Sequence, residues 1–310
     1  MNVKLKGLEL SRAYYEEYGK PMIENGFAEY KDRIAVGLVG HGSECFGFDD
    51  EISRDHDFEP GFCLWITEED ERKFGFRLFR AYSALPKEYM GIKVQDNSAF
   101  GSDFKGVHTI KEFYSFYTGS GNVPESLSEW LSIPDFYLAE AVNGEVFSDP
   151  LGEFSAIREG LKNCPEDVRK KKLASAVFGM AQSGQYNYYR CLSHGEKGAA
   201  ALALAEFAKN TAHAVYLFNK TYMPYYKWAF KGIRTQKKLS FMAEELEKLL
   251  AEPYNGERNR PIIENIARIV ADEIRAEGLS ERTEEYLEPY AYCIKNNIKD
   301  AVLRTSSVME

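Results

Sequence analysis

The residues best suited to chemistry lie in one stretch, GHGSECFGFDDEISRDHDF, at positions 40–58. Near its end, Asp55 and Asp57 flank a histidine. Successive side chains of an extended strand point to opposite faces, so these two carboxylates would project from the same face. Two neighbouring anions are costly unless a cation neutralises them, and paired carboxylate oxygens suit Mg²⁺ or Mn²⁺. A solvated acidic loop has the same pattern, and the surrounding elements must separate the two interpretations.

A glycine-serine turn precedes the acidic pair. Residues 34–40, IAVGLVG, are an apolar run that ends in glycine, which predicts a buried strand followed by a tight turn. Gly42 and Ser43 lie in that turn, where backbone N–H groups could cradle a phosphate. Divalent ions held by carboxylates commonly also bind nucleotide phosphates. Strand, turn and acidic pair together favour a metal and triphosphate site over a solvated loop.

This combination resembles the signature of the DNA polymerase beta-like nucleotidyltransferase superfamily, in which a hydrophobic residue and a Gly-Gly or Gly-Ser turn precede Asp-x-Asp or Asp-x-Glu. In that superfamily the two acids hold divalent metal and the nucleoside triphosphate, and the serine turn contacts phosphate. By resemblance these roles pass to Asp55, Asp57, Gly42 and Ser43. The resemblance implies Mg²⁺- or Mn²⁺-dependent transfer of a nucleotidyl group from a nucleoside triphosphate to a hydroxyl of a small molecule or a protein, with release of pyrophosphate.

A wider part of the chain resembles a bacterial group of uncharacterised two-domain proteins related to these transferases. Three stretches carry this resemblance: GSECFGFDDEISRDHDF, AQSGQYNYYR and FNKTYMPYYKW. The resemblance brings no established substrate, so the acceptor stays open. Asp49, Asp50 and Glu51, which precede the acidic pair, are interpreted as a solvated turn cluster.

Enzymes of the superfamily usually place a third acid on a neighbouring strand, where it helps to bind the catalytic metal and to activate the attacking hydroxyl. The corresponding strand here reads GVHTI, at positions 106–110, and we expect His108 to face the acidic pair. A neutral histidine adds no negative charge but could act as a base. Asp149 is the second choice. A catalytically silent nucleotide-binding or protein-interaction module on the same fold is therefore the alternative function.

The local patterns of the first half predict short strands and helices. We expect a helix within the first thirty residues, a strand at 34–40 and another at the end of DHDFEPGFCLWI. Thr67 with Asp70 three residues later predicts a helix N-terminus. Further strands are expected in GIKV, GVHTI and GEVFSDPLGEF, and short helices in KEFYSFYTG and SLSEWLSI. These elements predict a nucleotidyltransferase-like mixed β-sheet domain over residues 1–155.

From Arg158 onward, long segments rich in Ala, Leu, Glu and Lys show helical periodicity. They predict an α-helical bundle domain over residues 156–310. The predicted fold class is therefore α+β, a mixed sheet with helices followed by a helical bundle.

Two stretches of the helical half combine aromatic and basic residues. In NKTYMPYYKWAFKG, five aromatics surround Pro224, which predicts a helix break, and Lys227 could meet phosphate while an aromatic ring stacks on a base. Core packing explains the aromatics as well. In QSGQYNYYR, Gln182, Tyr186 and Arg190 would share one helix side, either as an exposed face or as a ligand groove.

We expect Lys227 and Arg190 to bind the triphosphate together with the Gly42–Ser43 turn. His41, His194 and His213 have no partner in the sequence pattern and are interpreted as isolated turn or core histidines.

Composition excludes several classes of function. The net charge of −9 argues against a protein that wraps a long nucleic acid. The five cysteines are scattered without a C-x-x-C pair, so we expect reduced thiols. We find no apolar run long enough for a membrane span and no secretory signal, and we expect a cytoplasmic protein without a membrane partner. The sequence does not indicate the acceptor, the base of the nucleotide or the oligomeric state.

Overall fold

The computed structural model describes residues 5–52, 58–94 and 105–309. The chain forms two compact units. The first combines Met1–Glu125 with Tyr137–Asn163, and the second combines Ser126–Phe136 with Cys164–Glu310. The predicted domains, 1–155 and 156–310, stay a prediction.

A four-stranded mixed sheet forms the centre of the first unit, with the strand order β5-β2-β1-β6. Strand β1 pairs antiparallel with β2 and with β6, whereas β2 and β5 are parallel. A separate antiparallel pair is formed by β3 and β4. The strands are β1 (Ala35–Leu38), β2 (Cys63–Ile66), β3 (Glu88–Tyr89), β4 (Ile92–Lys93), β5 (Gly106–Thr109) and β6 (Glu145–Ser148). The fold class is α+β, as predicted.

The strand register brings four chain segments to one end of this sheet. Gly37 near the end of β1 lies opposite Cys63 at the start of β2, and Cys63 lies opposite Gly106 at the start of β5. Leu38 lies opposite Glu145 at the start of β6. The exit from β1 and the entrances to the other three strands therefore share this end, which we call the β1-exit end.

Helices cover the sheet on both faces. On one face, Leu64 and Ile66 of β2 are fully buried in a cluster with Leu10. On the other face, the Trp65 ring stacks on Phe154 with centroids 3.8 Å apart. Fully burying one such side chain stabilises the fold by roughly 1.5–3 kcal/mol. The helices of this unit are α1 (Gly7–Tyr14), α2 (Lys20–Gly26), α3 (Glu68–Asp70), α4 (Phe76–Ser83), α5 (Ile110–Thr118) and α8 (Glu153–Lys162), with π-helical turns at Tyr15–Gly19 and Glu71–Gly75 and a 3₁₀ turn at Lys31–Arg33.

Local capping agrees with the sequence. The Thr67 hydroxyl accepts a hydrogen bond from the Asp70 backbone N–H at 3.1 Å, which confirms the predicted helix start. Thr109 and Glu112 form a reciprocal capping box at the start of α5, directly after β5. Strand β5 therefore passes into helix without a loop.

Helices build the second unit, and no strand lies in its described residues. Its core surrounds α9 (Glu166–Met180) and α11 (Lys197–Phe218), with fully buried Leu173, Val177 and Phe207. The break predicted at Pro224 is confirmed, because α11 ends at Phe218 and α12 begins at Tyr226. The helices are α6 (Leu127–Ser132), α9 (Glu166–Met180), α10 (Tyr188–Ser193), α11 (Lys197–Phe218), α12 (Tyr226–Ile233), α13 (Met242–Ala251), α14 (Gly256–Ala276), α15 (Glu288–Asn296) and α16 (Ala301–Thr305), with a π-helical segment at Ala181–Asn187; α7 (Asp135–Val142) begins in this unit and ends in the first. Across the described part of the chain, every helix is too short or too polar to cross a membrane.

A short connection between α7 and β6 fixes the β1-exit end. The Asn143 amide accepts from the Gly40 N–H at 2.8 Å and donates to the Gly40 carbonyl at 2.6 Å. The Gly144 N–H donates to the Cys45 carbonyl at 2.8 Å. The Arg158 guanidinium, on α8, donates to the carbonyls of Val142 and Gly144. We call residues 142–144 the clamp.

The clamp predicts an unequal response of two glycines to alanine. Gly144 (φ +60°) and Gly152 (φ +74°) both have left-handed backbones, but a Cβ would overlap the Leu38 carbonyl only at Gly144. The left-handed backbone alone costs about 1–2 kcal/mol. We expect Gly152→Ala to lower the free energy of unfolding by about that amount, and Gly144→Ala by roughly 3 kcal/mol because steric strain is added. Denaturant titration measures both, and equal losses would contradict this account of the clamp.

Candidate functional site

A tight turn follows β1 at the β1-exit end. Gly40 leaves the strand with φ +137°. The Cys45 N–H donates to the Gly42 carbonyl, the Phe46 N–H to the Ser43 carbonyl and the Gly47 N–H to the Glu44 carbonyl. Three successive bonds of this kind coil residues 42–47 into a compact turn.

The start of this turn contains three consecutive backbone N–H groups, at Gly42, Ser43 and Glu44. Among the described residues, the backbone N–H groups of Gly42, Ser43 and Glu44 have no acceptor. Gly42 and Ser43 are partly exposed to solvent. Consecutive unpaired backbone N–H groups form a concave site with positive partial charge, which is suited to a phosphate oxygen. We call these three residues the N–H nest.

Lys105 connects the nest to the chain that enters β2. Its ammonium nitrogen lies 3.5 Å from a carboxylate oxygen of the buried Glu44 and donates to the Glu59 carbonyl at 3.0 Å. Both side chains of the ion pair are largely buried, at 13% and 8% exposure. Lys105 thus joins the turn to a residue two positions after Asp57. Sequence reasoning missed it, because the parallel pairing of β5 with β2 leaves no local signal.

Asp49 corrects the expectation of a solvated cluster. Its side chain is buried, and one carboxylate oxygen accepts from the Gly7 N–H at 2.9 Å. The Lys6 ammonium lies 3.5 Å from the other oxygen. An anion is favourable at a helix N-terminus, where the first N–H groups lack partners, so Asp49 fixes the start of α1. Asp50 and Glu51 are exposed, as expected.

The acidic pair Asp55 and Asp57 lies outside the described residues, so its predicted metal-binding and catalytic roles stay predictions. Within the described ranges, no group of three or more His, Cys, Asp or Glu side chains is arranged to hold a metal ion.

The two residues considered for the third ligand have definite places. His108 lies opposite Trp65, the third residue of β2, and borders a cavity of about 500 Å³ together with Arg72 and Phe76. The carboxylate of Asp149 accepts from the backbone N–H groups of Gly152 and Ser155, at the start of α8. Asp149 therefore has a capping role, and the proposed catalytic roles of both residues stay predictions.

Arg190 and Lys227 are exposed on the second unit. The Arg190 guanidinium lies 5.0 Å from the centroid of the Tyr186 ring, and the Lys227 ammonium lies 5.2 Å from that of Trp228. The prediction that they face the Gly42–Ser43 turn joins two units and stays a prediction.

The polar side predicted for QSGQYNYYR assumed a regular α-helix. Residues Ala181–Asn187 instead form a π-helical segment, whose wider turn alters the spacing of side chains. Gln182 donates to a Glu288 carboxylate oxygen on α15 at 3.0 Å. Tyr186 and Arg190 contact each other, whereas Gln182 is hydrogen-bonded to α15 and does not line an open groove with them.

The aromatic stretch after α11 divides into packed and exposed rings. Phe230 packs against the core of the second unit, which agrees with the packing interpretation. Tyr225 and Tyr226 are 43% and 72% exposed, so core packing does not explain them. Their ring centroids lie 4.5 Å apart, and Tyr225 also contacts Phe136 edge-on at 5.7 Å.

His213 corrects the expectation of an isolated histidine. Its Nε2 lies 2.9 Å from a carboxylate oxygen of Asp135, and the Lys172 ammonium lies 2.6 Å from the other oxygen. Burial raises the pKa of Asp135, but the hydrogen bond from His213, the charge that His213 carries when it is protonated and the charge of Lys172 outweigh it and lower the pKa to about 2. Asp135 and His213 are 78 positions apart, so no local pattern could reveal the pair.

Comparison with known proteins gives two similarities. The model of the family described as Domain of unknown function (DUF4037) matches residues 130–229. This range contains two of the three stretches quoted for the wider resemblance, AQSGQYNYYR and FNKTYMPYYKW. No curated protein matches the sequence. Residues 1–129, which include the Gly-Ser turn, lie outside the family match.

Among solved structures, the chain is similar to a nucleotidyltransferase-like protein from Exiguobacterium sibiricum 255-15. The two share 11% identity over 87% of this chain and 81% of the other, with a TM-score of 0.37. At that TM-score we transfer no residue role from the neighbour.

The buried ion pair at the nest generates a stability prediction. Lys105→Met leaves Glu44 without its cation, and breaking a buried pair from one side costs roughly 3 kcal/mol of unfolding free energy. Glu44→Gln in the same chain removes the uncompensated charge, so the double variant should recover a large part of the loss. Equilibrium unfolding of the wild type, both single variants and the double variant measures the coupling. Additive losses would show that the two side chains do not interact.

Asp135 generates a prediction of pH dependence. Its carboxyl has a lower pKa in the folded state than the ordinary value of 3.8, so its contribution is complete above the unfolded pKa and is lost as pH falls through about 4 towards 2. A shift of this size corresponds to about 2 kcal/mol. We expect the stability difference between the wild type and Asp135→Asn to shrink by that amount between pH 5 and pH 2, as measured by urea unfolding at each pH. A difference that is constant with pH would contradict the ion pair.

Proposed function

We propose that the first unit binds a nucleoside triphosphate at the N–H nest and transfers its nucleotidyl group to a hydroxyl acceptor. One observation carries this proposal: three consecutive backbone N–H groups, at Gly42, Ser43 and Glu44, lack an acceptor among the described residues and stand at the exit of a buried strand. Phosphate oxygens are the natural acceptors for such a group of donors.

The clamp supports this proposal because it holds the nest rigidly. Asn143 binds both backbone groups of Gly40, and Gly144 binds the Cys45 carbonyl, so the nest is fixed on both sides. Donors that are fixed before the ligand arrives need little reorganisation when it binds. Loop residues without such support would lose more conformational entropy on binding.

The donor chemistry of the acidic pair fits a divalent cation. Asp55 and Asp57 offer carboxylate oxygens, which Mg²⁺ and Mn²⁺ prefer, and the chain returns to the described residues at Phe58, one position later. Lys105 binds both the Glu59 carbonyl, two positions after Asp57 in the sequence, and the Glu44 carboxylate of the turn. When bound, the ion would neutralise charge on the phosphates and on the leaving group.

In the proposed reaction the oxygen of the acceptor hydroxyl attacks the α-phosphorus. A new P–O bond forms, the bond between the α-phosphorus and the oxygen that bridges to the β-phosphate breaks, and pyrophosphate leaves with that bonding pair. The hydroxyl proton passes to a base, for which we propose His108, with Asp149 as the second choice. Arg190 and Lys227 are proposed as further partners of the triphosphate.

A catalytically silent nucleotide-binding module is the second candidate. It is favoured by strand β5, Gly106–Thr109, which contains no carboxylate to serve as a third metal ligand. Both candidates need the nest and the acidic pair to bind nucleotide, and they differ in turnover alone.

The acidic pair generates the decisive prediction. Asp55→Asn and Asp57→Asn should each abolish Mg²⁺- or Mn²⁺-dependent transfer of label from α-labelled nucleoside triphosphates to an acceptor pool, since each removes a charged metal ligand. The matched control is Glu51→Gln, an exposed acid of the same segment, which should keep wild-type activity. The four nucleotides are tested separately, and binding of each is measured in parallel by calorimetry.

The outcomes separate the candidates. If the wild type transfers the label and both aspartate variants do not, the result supports the nucleotidyltransferase. Metal-dependent binding without transfer supports the silent module. Wild-type rates in both aspartate variants would refute the metal assignment.

A further inference from the structure

The second unit contains a cavity that the proposed nucleotide site does not use. It measures about 420 Å³ and is lined mainly by apolar side chains, among them Ile133, Met223 and Pro224. Charged groups reach the same cavity from Asp135, Lys172, Lys209 and His213. Sites for small organic molecules have this character, an apolar pocket of several hundred Å³ with a few placed polar groups. All lining residues lie within 130–229, the stretch that the DUF4037 family model matches.

The two tyrosines at this cavity are suited to hold a planar ring. Tyr225 and Tyr226 line it while remaining 43% and 72% exposed. Large aromatic side chains with this much exposure contribute less to a core, and their exposed ring surface is open to contact with a ligand. The contact between Tyr225 and Phe136 fixes one of the two rings.

The polar side chains of the cavity indicate which substituents the ring of a ligand must carry. Asp135 is ionised at neutral pH and can only accept, so the Nε2 of His213 must donate to it. In the neutral ring, Nδ1 is then an acceptor, and among the described residues it has no hydrogen-bond partner. A hydroxyl group on the ligand could donate to it.

The charge balance favours an anion. The lining contains two ammonium groups, of Lys172 and Lys209, and one carboxylate, of Asp135. Lys172 is bound to that carboxylate at 2.6 Å, whereas Lys209 has only an exposed pairing with Glu206 at 3.7 Å, which contributes little. A metal ion is disfavoured because the oxygens of Asp135 are already taken by Lys172 and His213. A bare inorganic anion would leave the apolar walls unused.

We propose that this cavity binds a hydroxylated aromatic anion, with the ring against Tyr225 and Tyr226, the hydroxyl on His213 and the anionic group towards Lys209. The site belongs to the second unit alone. It requires neither a nucleotide nor a divalent cation, and its failure would leave the proposed nucleotidyl transfer untouched.

The experiment titrates the full chain with 4-hydroxybenzoate by calorimetry, without nucleotide or metal. We expect saturable binding at one site. Benzoate lacks the hydroxyl, and 4-hydroxybenzyl alcohol lacks the charge, so each should bind roughly tenfold more weakly. Tyr226→Ala and Lys209→Met, both at exposed positions, should each weaken the binding of 4-hydroxybenzoate by roughly tenfold. Tyr254→Ala changes a 54% exposed tyrosine outside the cavity and should have no effect.

A third variant tests the hydroxyl contact itself. His213→Phe keeps a ring but removes the acceptor, so it should bind benzoate and 4-hydroxybenzoate equally. The proposal is overturned if no probe binds saturably at millimolar concentration, if the wild type does not distinguish the three probes, or if Tyr226→Ala and Lys209→Met both leave affinity unchanged.

Discussion

The clamp between α7 and β6 is the constraint on which the rest of the first unit depends. A side-chain amide satisfies both backbone groups of Gly40 at the point where the chain leaves β1, and the Gly144 N–H binds the turn again at Cys45. Arg158, itself buried, supports the clamp from the next helix by binding the carbonyls of Val142 and Gly144. Each of these bonds contributes about 1 kcal/mol, but together they exclude other paths for the turn. Among the described residues, the N–H groups of Gly42, Ser43 and Glu44 have no acceptor, whereas the carbonyls of the same three residues accept hydrogen bonds within the turn.

Burial of charge gives the same end of the sheet its second constraint. Glu44 in the turn and Asp49 just after it are both buried, and each has a lysine ammonium 3.5 Å away. Buried ion pairs add little net stability compared with apolar packing, but losing one partner is costly. The Glu44–Lys105 pair, which is largely buried on both sides, therefore selects one arrangement of the turn, with Lys105 also bound to the chain that enters β2. Asp49 holds the chain after the turn at the start of α1 through the Gly7 N–H.

Local patterns predicted most of the elements and little of what joins them. The apolar run at 34–40, the cap at Thr67 and the break at Pro224 each follow from residues within a few positions, and the structure contains all three. Three contacts join residues that are 46 to 103 positions apart, for which a single sequence carries no signal. They are the Asn143–Gly40 bonds of the clamp, the bond from Lys105 to Glu59 and the Asp135–His213 pair. Asp49 was misjudged because an acidic turn and a buried helix cap have the same local composition. The π-helical segment was missed because α-helices precede and follow it directly, so the sequence pattern around it is that of an α-helix.

The electrostatics of the first unit bear on what form of nucleotide it could bind. Among the described residues, Lys6 forms an ion pair with Asp49 and Lys105 forms one with Glu44. The attraction offered to a phosphate at the nest therefore comes from backbone dipoles, which are directional and short in range. If Asp55 and Asp57 hold a metal ion as proposed, their carboxylates would repel a free triphosphate, in a protein whose net charge is −9. A complex with a divalent cation removes that repulsion and supplies the carboxylates with a partner. If the proposed function holds, the metal-bound nucleotide is therefore the species that the site would select.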